Sequence, residues 1–251
     1  MAPLLVALQP AEYFETREVS VERALVVIAL VVIVTGLSIL PIGWLFVTSF
    51  DPSTTVPNPD KPSESLCGEE GIGNMSVGSE NITFQTPEEC TEPAQIGIRS
   101  VIWRFTGQLA FEQAISVVIG WLAITVALYG LASSAFESGR DAIVIASWGT
   151  VPWAVGALIT AGILVIRVDT AAFPAADLSA AETVDALVPQ FKASRPITAG
   201  IQAVTTAWTG WIHYHGLRVR TSLTARKAFE LAAVVNASGY LVVVLGTLIS
   251  I

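Results

Sequence analysis

Five long stretches of the chain are mainly apolar and carry no charged residue: 24–50, 113–136, 142–166, 196–217 and 231–251. A helix that crosses the roughly 30 Å of bilayer hydrocarbon needs about 20 such residues, so each stretch is predicted to be one transmembrane helix. The predicted fold is all-α and polytopic, with five crossings, the N-terminus inside and the C-terminus outside. The fourth stretch is the most polar, with Gln202, Thr205, Thr206 and Thr209, groups that a helix facing its neighbours tolerates. The first is far longer than the roughly 7 to 15 residues of a signal-peptide core and has no small-x-small cleavage site after it, so it is expected to stay as an anchor. Ahead of it, 1–23 reads as a cytoplasmic segment lying at the membrane interface, with an apolar patch (Leu4, Leu5, Val6, Leu8), Pro10, and then Tyr13 and Phe14.

The segments between the runs set the orientation. Residues 51–112 form an outer loop, 137–141 an inner loop, 167–195 an outer loop and 218–230 a basic inner loop. In the last of these, Arg218, Arg220, Arg226 and Lys227 place four cations within ten residues. Such a cluster marks the cytoplasmic side, beside anionic head groups. The 51–112 loop holds Cys67 and Cys90, the chain's two cysteines, and the acceptor sequons at Asn74 and Asn81. A disulfide between the cysteines is expected, since a bond closing a long loop suits an oxidising exterior and contributes about 3 kcal/mol; glycosylation at the two asparagines is the weaker expectation. In 167–195, Ser179 and Glu182 form a capping box, followed by Val184, Leu187, Val188 and Phe191 at helical spacing. A short amphipathic helix is predicted there.

Composition agrees with a membrane protein and adds a habitat. Of 251 residues, 53% are hydrophobic and 14% charged, against roughly 25% charged in a soluble domain. On this topology the outer segments carry fourteen of the 21 acids and six of the 13 cations, which accounts for the net charge of −8. Lysine is scarce, three residues against ten arginines. A negative, lysine-poor exterior fits a cell living in high salt, where screening shortens self-repulsion.

The chain offers little chemistry. His213 and His215, the two histidines, stand about 200° apart on a helix and have no third ligand nearby, so no metal or other cofactor is expected; they read as interface residues beside Trp208 and Trp211. No paired intramembrane carboxylates, Gly-x-Ser-x-Gly frame or zinc spacing occurs, and no enzyme is expected. Nucleic-acid binding does not fit the net charge or so short a basic loop. Every Asp, Glu, Lys and Arg falls at a span end, which speaks against an ion-coupled pump. Inside the spans lie small and polar residues suited to helix packing: Gly149, Pro152 and Gly156 in the third, Thr209 in the fourth, Asn236 in the fifth. An amide in lipid needs a partner, and Thr209 or Thr206 is level with Asn236.

"QPAEYF" before the first span, "SWGTVPW" (147–153) in the third, and "AWTGWIHYHGL" with "SLTARKAFELA" across the last two resemble the Yip family of polytopic membrane proteins in its prokaryotic form. The strongest part is the spacing of Trp208, Trp211, Gly216, Leu217, Leu223, Lys227 and Ala228. The resemblance covers about 200 residues and omits the cysteine loop. It implies a non-enzymatic protein, embedded in the lipid bilayer of the cell membrane, that scaffolds or shapes membranes through membrane-protein partners or as a homo-oligomer. The eukaryotic members' acidic, aromatic N-terminal motif is absent, so a Rab GTPase partner does not follow. The competing expectation is a small transporter or channel subunit with a polar path through Gln202, Thr205, Thr209 and Asn236.

Overall fold

The computed structural model describes residues 9–16, 20–50, 53–58, 60–61, 75–77, 80–82, 88–167 and 180–249. Among them eight α-helices follow one another: α1 (Pro10–Thr16), α2 (Val21–Leu37), α3 (Leu40–Ser49), α4 (Ile98–Ala132), α5 (Gly139–Gly149), α6 (Val151–Arg167), α7 (Ala180–Arg220) and α8 (Ala225–Ile249). The predicted runs are helical, but their ends and continuity differ from the expectation in ways that proline, glycine and hydrogen-bonding chemistry explain.

The first run is not one helix. α2 is capped at its start by the Ser20 hydroxyl, which accepts from Arg23 N, and ends at Leu37. α3 then starts with Pro41 in its first turn, where the missing N–H costs nothing. The third run breaks at Thr150, two residues before Pro152, and the fourth does the opposite. α7 runs 41 residues without interruption through Pro189 and Pro196, so the short amphipathic helix predicted near 180–191 is the first part of one helix about 60 Å long. α4 begins at Ile98, fifteen residues before the predicted start of its run, and stops at Ala132, where the chain turns.

The 51–112 segment also carries strands that no alternation announced. β1 (Thr55–Pro57) pairs antiparallel with β4 (Gln95–Gly97), and β2 (Met75–Val77) with β3 (Glu80–Ile82). An ion pair between Asp60 and Arg104 and a hydrogen bond from Arg99 to Phe50 O (3.1 Å) tie this segment to α4.

At the opposite end of α4 the turn after it meets the turn between α7 and α8. Phe136 bridges Thr221, and Ser222 N donates to Ala135 O at 3.1 Å. α1 joins this end. Tyr13 and Phe14 are buried, and the Tyr13 ring meets Trp148 edge-on at 4.9 Å. Tyr13 and Phe14, expected at the membrane surface, are thus tucked into the bundle, because two aromatic rings bury more apolar area against Trp148 and α7 than at an interface. The core there also contains Ala24, Leu128, Ile145, Ile212, Leu217, Ala228 and Ala232.

Candidate functional site

The break between α5 and α6 organises the middle of the bundle. Pro152 has no N–H to offer Trp148 O, and the chain takes a tight turn in which Thr150 N bonds Ser147 O (3.2 Å) and Trp153 N bonds Thr150 O (3.0 Å). Carbonyls released by such a break must find donors inside the membrane. Thr209, on α7, donates its hydroxyl to Gly149 O at 2.9 Å, and the Thr150 hydroxyl donates to Ser147 O at 2.6 Å. From α4, Trp121 Nε1 donates to the Ser147 hydroxyl at 3.0 Å, which in turn donates to Ile143 O.

The absence of a side chain at Gly149 admits the His213 ring; a β-carbon there would overlap it. His213 is fully buried, a correction to its expected place among head groups. Asn236 on α8 supplies the other side. Its Nδ2 donates to His213 Nδ1 (3.0 Å) and to Ala232 O (2.7 Å). An amide nitrogen only donates, so Nδ1 accepts and the ring proton sits on Nε2, against Gly149. Asn236 therefore pairs with histidine rather than with Thr209 or Thr206, and Thr209 is committed to the broken helix.

One register runs through all of these contacts. Gly156 receives the Thr205 methyl, Gly149 receives His213, and Gly216 receives Ile145. Numbers fall along α6 and α5 as they rise along α7, so the two pack antiparallel with a small residue at each crossing, as helices in lipid do. Pro152 is buried in the same seam. The backbone carbonyl of Gln202 accepts from the Thr205 hydroxyl. The residue that sequence reasoning missed is His213. The signal was the α7 face of Thr205, Thr209, His213 and Gly216, spaced four, four and three; His215 lies off it, half-exposed, with its ring 4.2 Å from that of Trp211.

The remaining expected residues lie apart from this junction. Arg218 donates to the Tyr214 hydroxyl (3.2 Å), Arg226 pairs with Glu230 (2.8 Å), and both flank the α7–α8 turn with Arg220 and Lys227. Cys90 is in the short turn Glu88–Thr91, and Asn81 is in β3; Cys67 and Asn74 fall outside the described residues. Among the described residues no three His, Cys, Asp or Glu side chains gather as metal ligands would.

Three helical stretches, Val21–Ser49, Ile98–Ala132 and Gly139–Arg167, are long and apolar enough to cross a bilayer. Large apolar side chains such as Leu30, Ile119 and Val126 point outward from the bundle, while glycine, threonine, histidine and asparagine lie inside. Helices of spanning length with outward-facing apolar side chains mark a multi-pass helical membrane protein. The chain belongs to the Yip1 domain family, which matches residues 4–246. No curated protein and no solved structure matches it. Of the residues that carried the resemblance, Leu217 and Ala228 are fully buried and Gly216 seats Ile145, so they serve the packing of α7.

Proposed function

We propose that the chain is a five-pass, non-enzymatic scaffold of the cell membrane that organises membranes through protein partners or copies of itself. The observation that carries this reading is that Ser147, Thr209 and Nδ1 of His213 are bonded to neighbouring helices, His213 Nε2 being left against Gly149 without a hydrogen-bond partner. Ser147, Thr209 and His213 are sealed from solvent and bonded across α4, α5, α7 and α8. A carrier keeps such groups open to a solute or coupled to ionisable residues. Here they hold the helices in one arrangement, which is what a scaffold requires.

The five-pass topology draws support from the meeting of the 133–138 and 221–224 turns at one end. The basic residues 218–227 argue that this end is cytoplasmic. A disulfide between Cys67 and Cys90 belongs to the same reading; no free cysteine occurs among the described residues.

Reconstitution into vesicles tests the function. The scaffold reading expects no protein-dependent solute uptake and expects affinity purification from native membranes to return stable partners or copies of the chain. Uptake that Asn236→Leu abolishes would overturn it in favour of a transporter. A cysteine placed at Ser222 reads the topology separately, since labelling of it from outside intact cells contradicts the orientation. Two thiols that label freely before reduction end the disulfide.

A further inference from the structure

A groove of about 720 Å³ runs along one side of the α7–α8 pair. On α7 it is lined by Ala203, Ala207, Gly210, Trp211 and Tyr214, and on α8 by Phe229, Ala233 and Ala237, among others. Its surface is almost wholly apolar, although Asn236 contributes to it. That amide is turned into the protein by its bonds to His213 and Ala232 O. The volume falls within the roughly 300–1,000 Å³ of small-molecule sites.

Its length and its two ends identify the occupant. From Ala203 to Tyr214 is eleven residues, about 16 Å of helix, or half of the roughly 30 Å hydrocarbon core. A crossing helix would need a seat through both leaflets; this one is a single leaflet deep. The small residues line the mid-membrane end, and the aromatic rings of Trp211, Tyr214 and Phe229 gather at the end beside the 221–224 turn, 6.2 Å from Trp211 to Tyr214 and from Tyr214 to Phe229. Rings of that kind mark head-group level. Charge completes the arrangement there. Arg218 is exposed and hydrogen-bonded to the Tyr214 hydroxyl that stands at the mouth, whereas Lys227, two residues before Phe229, is about 200° round α8 from it. Arg226 is already paired with Glu230.

We infer that the groove seats one anionic phospholipid of the leaflet on this side, with an acyl chain along the alanine and glycine furrow and the phosphate at Arg218 and the Tyr214 hydroxyl. Basic pockets between transmembrane helices recognise anionic head groups in this way, while the furrow fixes which lipid chain is held.

The test is native mass spectrometry of the full chain released from nanodiscs containing equal phosphatidylglycerol and phosphatidylcholine. The wild type is expected to retain one phosphatidylglycerol, in about fivefold preference over phosphatidylcholine. Filling the groove with Ala207→Phe and Ala233→Phe removes the bound lipid. Arg218→Gln keeps a lipid but loses the preference. Equal retention of both lipids by the wild type, retention of phosphatidylglycerol by the filled variant, or a preference unchanged in the charge variant would each overturn the proposal. So would dimers that filling separates without loss of lipid, since the groove would then hold a second copy. Where the double phenylalanine variant does not fold, Ala233→Leu, a change at an exposed position, decides the same question. The inference requires α7 and α8 to cross the membrane, which labelling of a cysteine at Ser222 reads independently of lipid retention.

Discussion

α4 and α5 are joined by one short turn and are both rich in apolar residues, yet only one of them is inside. Four of the 35 residues of α4 are buried, against seven of the eleven of α5. α4 turns Ile119, Val126 and Leu131 outward, each more than 60% exposed. α5 buries Ala142, Ala146, Ser147 and Gly149 together with Val144, Ile145 and Trp148. In water the larger apolar side chains would seek the interior. In lipid they can stay at the surface without loss, and small or hydrogen-bonding residues, which let backbones approach and bond, share the interior with the apolar side chains packed round them.

Substitution at matched glycines is the strongest way to break this comparison. Gly149→Leu drives a side chain into the His213 ring and is expected to cost about 3 kcal/mol or to prevent folding. Gly130→Leu on α4 meets open space and is expected to stay within about 0.5 kcal/mol. Denaturant unfolding in bicelles compares the two; equal losses would mean that the α5–α7 seam is not where the bundle is held.

The His213–Asn236 pair comes next. Leucine at either position leaves the other's buried polar group without its partner, with an expected loss of about 1–2 kcal/mol. The double variant should lose less than the sum of the two, with a coupling of about 1 kcal/mol. Simple additivity in the same assay would show that the bond contributes nothing.

The smallest contrast sharpens the comparison between polar and apolar positions. Ser147→Ala removes the acceptor of Trp121 Nε1 and is expected to cost about 0.6 kcal/mol, whereas Val126→Ala on the outer face of α4 removes more atoms and is expected to cost less than that. A larger loss at Val126 would place an unrecognised protein contact on α4.

Apolar runs of sufficient length were enough to set the helices, their order and the membrane as their solvent, because a chain in hydrocarbon must satisfy its backbone within each helix. Gly149, Pro152, Gly156, Thr209 and Asn236 stood out on the same ground, as residues that lipid-facing positions do not need. Which of them meet is a different matter. The pairing of Asn236 with His213 depends on the register of α7 against α5 and α8, and that register depends on the break at Thr150, which opens a place for the imidazole beside Gly149. Depth alone offered Thr206 and Thr209 and passed over His213. The burial of Tyr13 and Phe14 was invisible for a similar reason: an amphipathic segment looks the same whether its aromatic face meets head groups or Trp148, and only the packing of α1 against α5 and α7 chose between them.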